Sequence, residues 1–98
     1  MFMSIHRMDG DPDALLARKS ADMDPVIRER AGEFGAAWTV TARTETGIVT
    51  VNLWKEPEGA VAFTQLQAAQ DAQRRSGLPM PSSFERFTDV DYVEILSP

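Results

Sequence analysis

The chain has 98 residues, 43% of them hydrophobic and 26% charged, which is enough for one folded core and excludes a disordered chain. Its formal net charge of −5 excludes the basic footprint of a nucleic-acid binder. Without cysteine, disulfides, thiolate nucleophiles and thiolate metal sites are excluded together, and a reducing, cytoplasmic setting is expected.

The first residues lack the basic segment and long apolar run of a secretory signal, and no apolar stretch approaches membrane-spanning length. No membrane partner is expected. Residues 2–8 read as a strand in which Met3 and Ile5 alternate with Ser4 and His6. Asp9-Gly10-Asp11-Pro12-Asp13 combines a turn with a helix start. Asp11 suits the N-cap, Pro12 the first helical position and Asp13 the positive end of the helix dipole. At Asp24-Pro25 the missing N–H predicts a break or kink, with Asp24 recapping a second segment over residues 25–33. Val26, Ile27, Ala31 and Phe34 supply its buried side, and Gly32 or Gly35 its stop.

Residues 37–43 and 48–54 read as two strands joined by Thr44-Glu45-Thr46-Gly47. A tight hairpin sets Trp38, Val40 and Ala42 opposite Leu53, Val51 and Val49. It sets Ala37, Thr39 and Thr41 opposite Trp54, Asn52 and Thr50. A second helix opens at Glu56-Pro57-Glu58, carries Phe63, Leu66 and Ala69 on a narrow apolar stripe, and runs on to Gly77. The last strand is expected within residues 84–96, bent near Asp89.

The order β-α-β-β-α-β predicts one domain over residues 1–98. It is an α+β, ferredoxin-like fold with a four-stranded antiparallel sheet and both helices on one face. Two helices cover one side of such a sheet. The aliphatic face of Val49, Val51, Leu53, Trp38 and Val40 is assigned to them. The face with Ile48, Trp54 and Phe2 or Tyr92 is then left open, and an exposed patch of that kind marks an interaction surface. A homodimer with the open sheet faces turned together, enclosing a ligand cavity, is the expected assembly.

Val49-Thr50-Val51-Asn52-Leu53-Trp54, followed by Lys55-Glu56-Pro57-Glu58-Gly59-Ala60-Val61-Ala62-Phe63, resembles the dimeric α/β-barrel proteins. Within them it is similar to the antibiotic-biosynthesis-monooxygenase-like family, where a strand ends in tryptophan before a short acidic turn and a helix with an aromatic residue. The resemblance implies a dimeric α/β barrel. Family activities include metal- and flavin-free oxidation of polyketide-derived aromatics, haem degradation and polyketide cyclisation. Trp54 matches the family tryptophan. Haem-degrading members place an iron-ligating histidine on the second helix, and this chain has none between Glu58 and Ser76, which argues against that activity.

His6 is the sole histidine and the natural general base, expected to project away from the helices. A merely structural histidine is the blander alternative. Asn52 either donates to a substrate carbonyl or pairs with Thr39 across the hairpin, and Trp54 is either a cavity wall or a dimer contact. Thr50 and Arg43 complete the proposed substrate-binding face, with Arg43 set to neutralise an acidic group or to reach solvent. One histidine and no cysteine leave only carboxylate metal sites, Asp9-Gly10-Asp11-Pro12-Asp13 lacks the length and terminal Glu of a calcium-binding loop, and there is no serine elbow or phosphate loop. The expected function is binding of a small aromatic or polyketide-like ligand, with cofactor-independent monooxygenation as the enzymatic form. The alternatives are a polyketide cyclase and a non-catalytic binding or dimerisation module.

Overall fold

The computed structural model describes residues 1–94 and 96. The elements are β1 (Phe2–Asp9), α1 (Pro12–Arg18), α2 (Asp24–Arg30), β2 (Ala36–Arg43), β3 (Gly47–Trp54), α3 (Pro57–Gln65), α4 (Gln67–Ser76) and β4 (Ser83–Phe87). The strands form an antiparallel sheet in the order β2-β3-β1-β4, with the helices on one face. The α+β, ferredoxin-like arrangement expected from the sequence is the observed one. No helix among the described residues is long and apolar enough to cross a membrane.

Asp11 caps α1 as expected: its Oδ2 accepts from the Ala14 N–H at 2.9 Å, and Pro12 occupies the first turn. The helix neither breaks at Asp24-Pro25 nor is recapped by Asp24, and its regular path is instead disturbed just before them. A π turn over Lys19–Met23 joins α1 to α2, and Asp24 stays helical at φ −58, ψ −38 instead of becoming an extended cap. The Asp24 N–H reaches back to the Lys19 carbonyl, a wider turn placed just before the proline that cannot donate in an α ladder. The Asp24 carboxylate in turn holds the Lys19 ammonium at 2.5 Å. A 3-10 turn (Ala31–Phe34) and Gly35, at φ 88, end the segment.

The second helix is divided, contrary to expectation. Leu66 takes an extended conformation (φ −66, ψ 129) between α3 and α4, and its carbonyl accepts from the Gln70 N–H at 3.0 Å to open α4. Leu66 also packs against the buried cluster, so tertiary packing sets a break that no glycine or proline announces. At the start of α3, a Cβ on Gly59 would lie 1.9 Å from the Phe34 carbonyl oxygen. Glycine there lets α3 rest against the 3-10 turn.

The hairpin register agrees with expectation from Trp38↔Leu53 to Ala42↔Val49, but a bulge sets Ala36, not Ala37, opposite Trp54. The faces are reversed. Phe2, Trp54 and Phe63 are buried together with Ala31 and Ala69, so the helices cover the face with Ile48, Trp54 and His6. Ile48 is 1% exposed, whereas Trp38 is 50% and Val40 43% exposed on the open face with half-buried Val49 and Val51. Both faces carry apolar side chains. The helices take the one with the bulkiest buried residues, where Phe2 and Trp54 lie opposite each other on adjacent strands.

β4 is shorter than expected. It runs antiparallel to β1, and its last partner, Phe87↔Met3, lies near the beginning of that strand. Tyr92 lies beyond β4 and is exposed, while Ile95 of the expected strand lies outside the described residues.

Replacing Ile48 with Ala is expected to lower stability in urea unfolding by about 2–4 kcal/mol, the cost of truncating a buried aliphatic side chain. Gly32→Ala should raise it by about 0.5–1 kcal/mol, because Gly32 is helical and a Cβ there meets nothing within 4 Å. An unchanged midpoint for Ile48→Ala would contradict the face assignment.

Candidate functional site

A cavity of about 790 Å³ lies between the covered face of the sheet and the helices, a size suited to a small organic molecule. Strand pairing lays out its floor in rows. Thr39, Asn52, Ser4 and Arg86 occupy one row, from β2 across β3 and β1 to β4. In the next row Thr41, Thr50, His6 and Phe84 lie side by side, and His6 and Phe84 are the two that reach the cavity. Trp54 and Phe2 close the apolar end. The 3-10 turn contributes Ala31 and Gly32 to the wall, and α3 contributes Ala60, Val61 and Phe63.

A hydrogen-bonded line runs along this floor. The Thr39 hydroxyl donates to Asn52 Oδ1 at 2.7 Å, and Asn52 Nδ2 lies 2.8 Å from His6 Nε2. With the amide nitrogen donating, Nε2 accepts and the ring proton sits on Nδ1. A half-turn of the Asn52 amide gives the complementary state, in which Oδ1 accepts from Nε2–H and Nδ1 carries the free lone pair. The Thr39 hydroxyl serves both states, as donor in one and acceptor in the other. Burial, and then the Lys19 ammonium, hold His6 below its ordinary value of 6.5, so the neutral imidazole prevails at neutral pH.

The site residues expected from sequence are only partly brought together. His6, Asn52 and Trp54 border the same cavity, but beneath the helices and not on the open face. His6 therefore does not project away from the helices. Phe63, at 5.9 Å between ring centroids, packs on Trp54, which is both core and cavity wall. Thr50 and Arg43 do not line the cavity. The Thr50 hydroxyl meets that of Thr41 at 3.1 Å, and the Arg43 guanidinium pairs with Asp13 at the exposed end of the hairpin.

Sequence reasoning missed Phe84, Arg86 and Arg28 as cavity residues. Phe84 stands beside His6 with ring centroids 5.6 Å apart, and the Arg86 guanidinium carbon lies 5.1 Å from the Phe84 centroid. Their alternation along β4 was readable, but the register against β1 that aligns them with His6 and Ser4 was not. Among the described residues, no three His, Cys, Asp or Glu side chains are grouped to hold a metal ion.

No protein-family model matches this chain, and no curated protein matches it by sequence. Solved structures do. A protein from Chloroflexus aurantiacus J-10-fl, provisionally named an antibiotic biosynthesis monooxygenase, is 20% identical with a TM-score of 0.68, over 96% of this chain and 97% of that one. A Mycobacterium tuberculosis protein is 17% identical with the same TM-score of 0.68, over 95% and 98% of the two chains. A dimeric ferredoxin-like protein from an uncultured marine organism is 12% identical with a TM-score of 0.59, over 99% and 91%. At these identities the likeness establishes a shared fold: the chain has the ferredoxin-like architecture of proteins named as antibiotic biosynthesis monooxygenases.

Proposed function

We propose that the cavity binds a planar aromatic or polyketide-like small molecule and that His6 acts on it as a general base, in a monooxygenation that needs no cofactor. The observation that carries this reading is a neutral, hydrogen-bonded imidazole on the floor of an otherwise largely apolar cavity. His6 takes a proton from an activated CH₂ of the substrate, and Asn52 and Trp54 orient the ring. The carbanion gives one electron to O₂, and the two radicals join as a peroxide at that carbon. Loss of water from the peroxide leaves a carbonyl, so CH₂ and O₂ become C=O and H₂O with all electrons supplied by the substrate. The low polarity of the cavity lining favours this sequence.

The deprotonation alone would serve a polyketide cyclase, and binding alone a non-catalytic module. Oxygen uptake with an anthrone as test substrate distinguishes them. His6→Ala is expected to lower uptake by about 10²–10⁴-fold, the usual contribution of a general base, with the fold retained. Equal uptake in wild type and variant would remove His6 as the base. Ligand binding without uptake or conversion would favour the non-catalytic reading.

The pH profile carries a sign. Because His6 is held below 6.5, the rate should be level above that pH and fall as the pH drops and the imidazole takes up its proton. Stability shares the direction: the unfolded chain protonates near 6.5 while the folded chain resists, so stability is lost as pH falls through that range. A rate that stayed level into the acid range would count against the base assignment.

We further infer a homodimer through the open sheet faces. Support comes from the exposed Trp38 and Val40 beside Val49 and Val51, a surface that no helix among the described residues covers. The marine neighbour is described as dimeric. Sedimentation at micromolar concentration should give a dimer, and Val51→Asp should give a folded monomer by placing a carboxylate in the middle of the apolar face. A monomeric wild type would overturn the assembly.

A further inference from the structure

We propose that the cavity selects an anionic ligand, an aromatic acid whose carboxylate is held by Arg86 at the β4 edge, beside Phe84 and His6. This rests on the reading of the cavity as a small-molecule site and adds the class of molecule it accepts.

The first support is charge. The chain carries fifteen Asp and Glu against ten Lys and Arg, yet the charged side chains lining the cavity are Arg28 and Arg86, with no carboxylate among the described lining residues. Elsewhere the cations are commonly neutralised: Arg30 pairs with Glu33, Arg43 with Asp13, and Arg74 with Asp71. Arg28 and Arg86 form no ion pair among the described residues. Both side chains are solvent-exposed at the rim of the cavity, where a cation without an acidic partner is open to a ligand's negative charge.

Geometry singles out Arg86. Its guanidinium carbon lies 5.1 Å from the centroid of Phe84, and that ring lies 5.6 Å from His6. Packing against the ring limits the orientations of the guanidinium while leaving N–H groups available to a carboxylate. Arg86 also shares a row with Ser4 and Asn52. Two strand spacings separate Asn52 from Arg86, about 10 Å between backbones, the scale of a fused-ring acid. An acid bound at one end of that row keeps its ring system over the His6–Asn52 pair. Arg28 stands toward the β2 side, where it also borders a smaller cavity with Thr39 and Val40, and adds to the positive potential.

The test uses two probes differing in charge, 3-hydroxy-2-naphthoate and its methyl ester, titrated calorimetrically into the full chain. The acid is expected to bind about tenfold or more tightly than the ester, the scale of one charge-assisted hydrogen bond. Arg86→Gln should remove that preference by weakening the acid while leaving the ester unchanged. Arg86→Lys should restore part of it. Arg75→Gln, away from the cavity but equal in charge change, should leave it intact. The preference should shrink with added salt in the wild type. Equal binding of acid and ester, or a preference that survives Arg86→Gln, would overturn the inference and leave the small-molecule reading standing. Binding of neither probe would overturn both.

Discussion

The aromatic contact between Trp54, Phe63 and Phe2 determines which side of the sheet the helices occupy, and the site depends on that choice. Side chains alternate along a strand, so once Phe2 and Trp54 turn inward, Ser4, His6, Thr50 and Asn52 must turn inward with them. The helices close over this face at its ends, with Leu15 and Ile48 buried at one and the aromatic cluster at the other. Between these ends the inward residues are smaller and polar. Ser4, His6 and Asn52 among them form the floor of a cavity instead of a packed core.

Those polar groups cost free energy unless each has a partner, and the register supplies partners strand by strand. Thr41 meets Thr50, Thr39 meets Asn52, and Asn52 meets His6. No buried side-chain nitrogen or oxygen among the described residues lacks a hydrogen-bond partner. The same network that satisfies the floor also holds the imidazole in place and couples its tautomer to the orientation of the Asn52 amide. The hydrogen bonds that satisfy the floor are the same ones that orient the His6 side chain, so a pair of β-strands positions an imidazole in the cavity without a dedicated loop.

The opposite face poses a different problem. Trp38, Val40, Val49 and Val51 form an apolar surface without a helix over it. The aliphatic content that marked this face as a core in the sequence belongs to the side the helices leave open, the side proposed above to meet a second sheet. Hydrophobicity reports that a face is buried. It does not report by what.

Legible in the residues alone were the element order, the ferredoxin-like sheet, the Asp11 cap, the Gly77 stop, a first stop at Gly32 or Gly35 that the structure resolves to Gly35, and most of the hairpin register. These follow from local rules: period-two alternation, capping chemistry and the left-handed tolerance of glycine. The sequence also put His6, Asn52 and Trp54 on one face, because side-chain parity and strand order suffice for that. Tertiary structure alone decided which face the helices cover, since two apolar faces compete and the outcome depends on how Phe2, Trp54 and Phe63 pack across distant segments. It decided the π turn before Pro25 and the extended Leu66, where long-range packing outweighs local propensity. It also excluded Thr50 and Arg43 from the cavity and brought in Phe84, Arg86 and Arg28, because the β1–β4 register and the position of α2 over β2 are set by contacts between residues far apart in the chain.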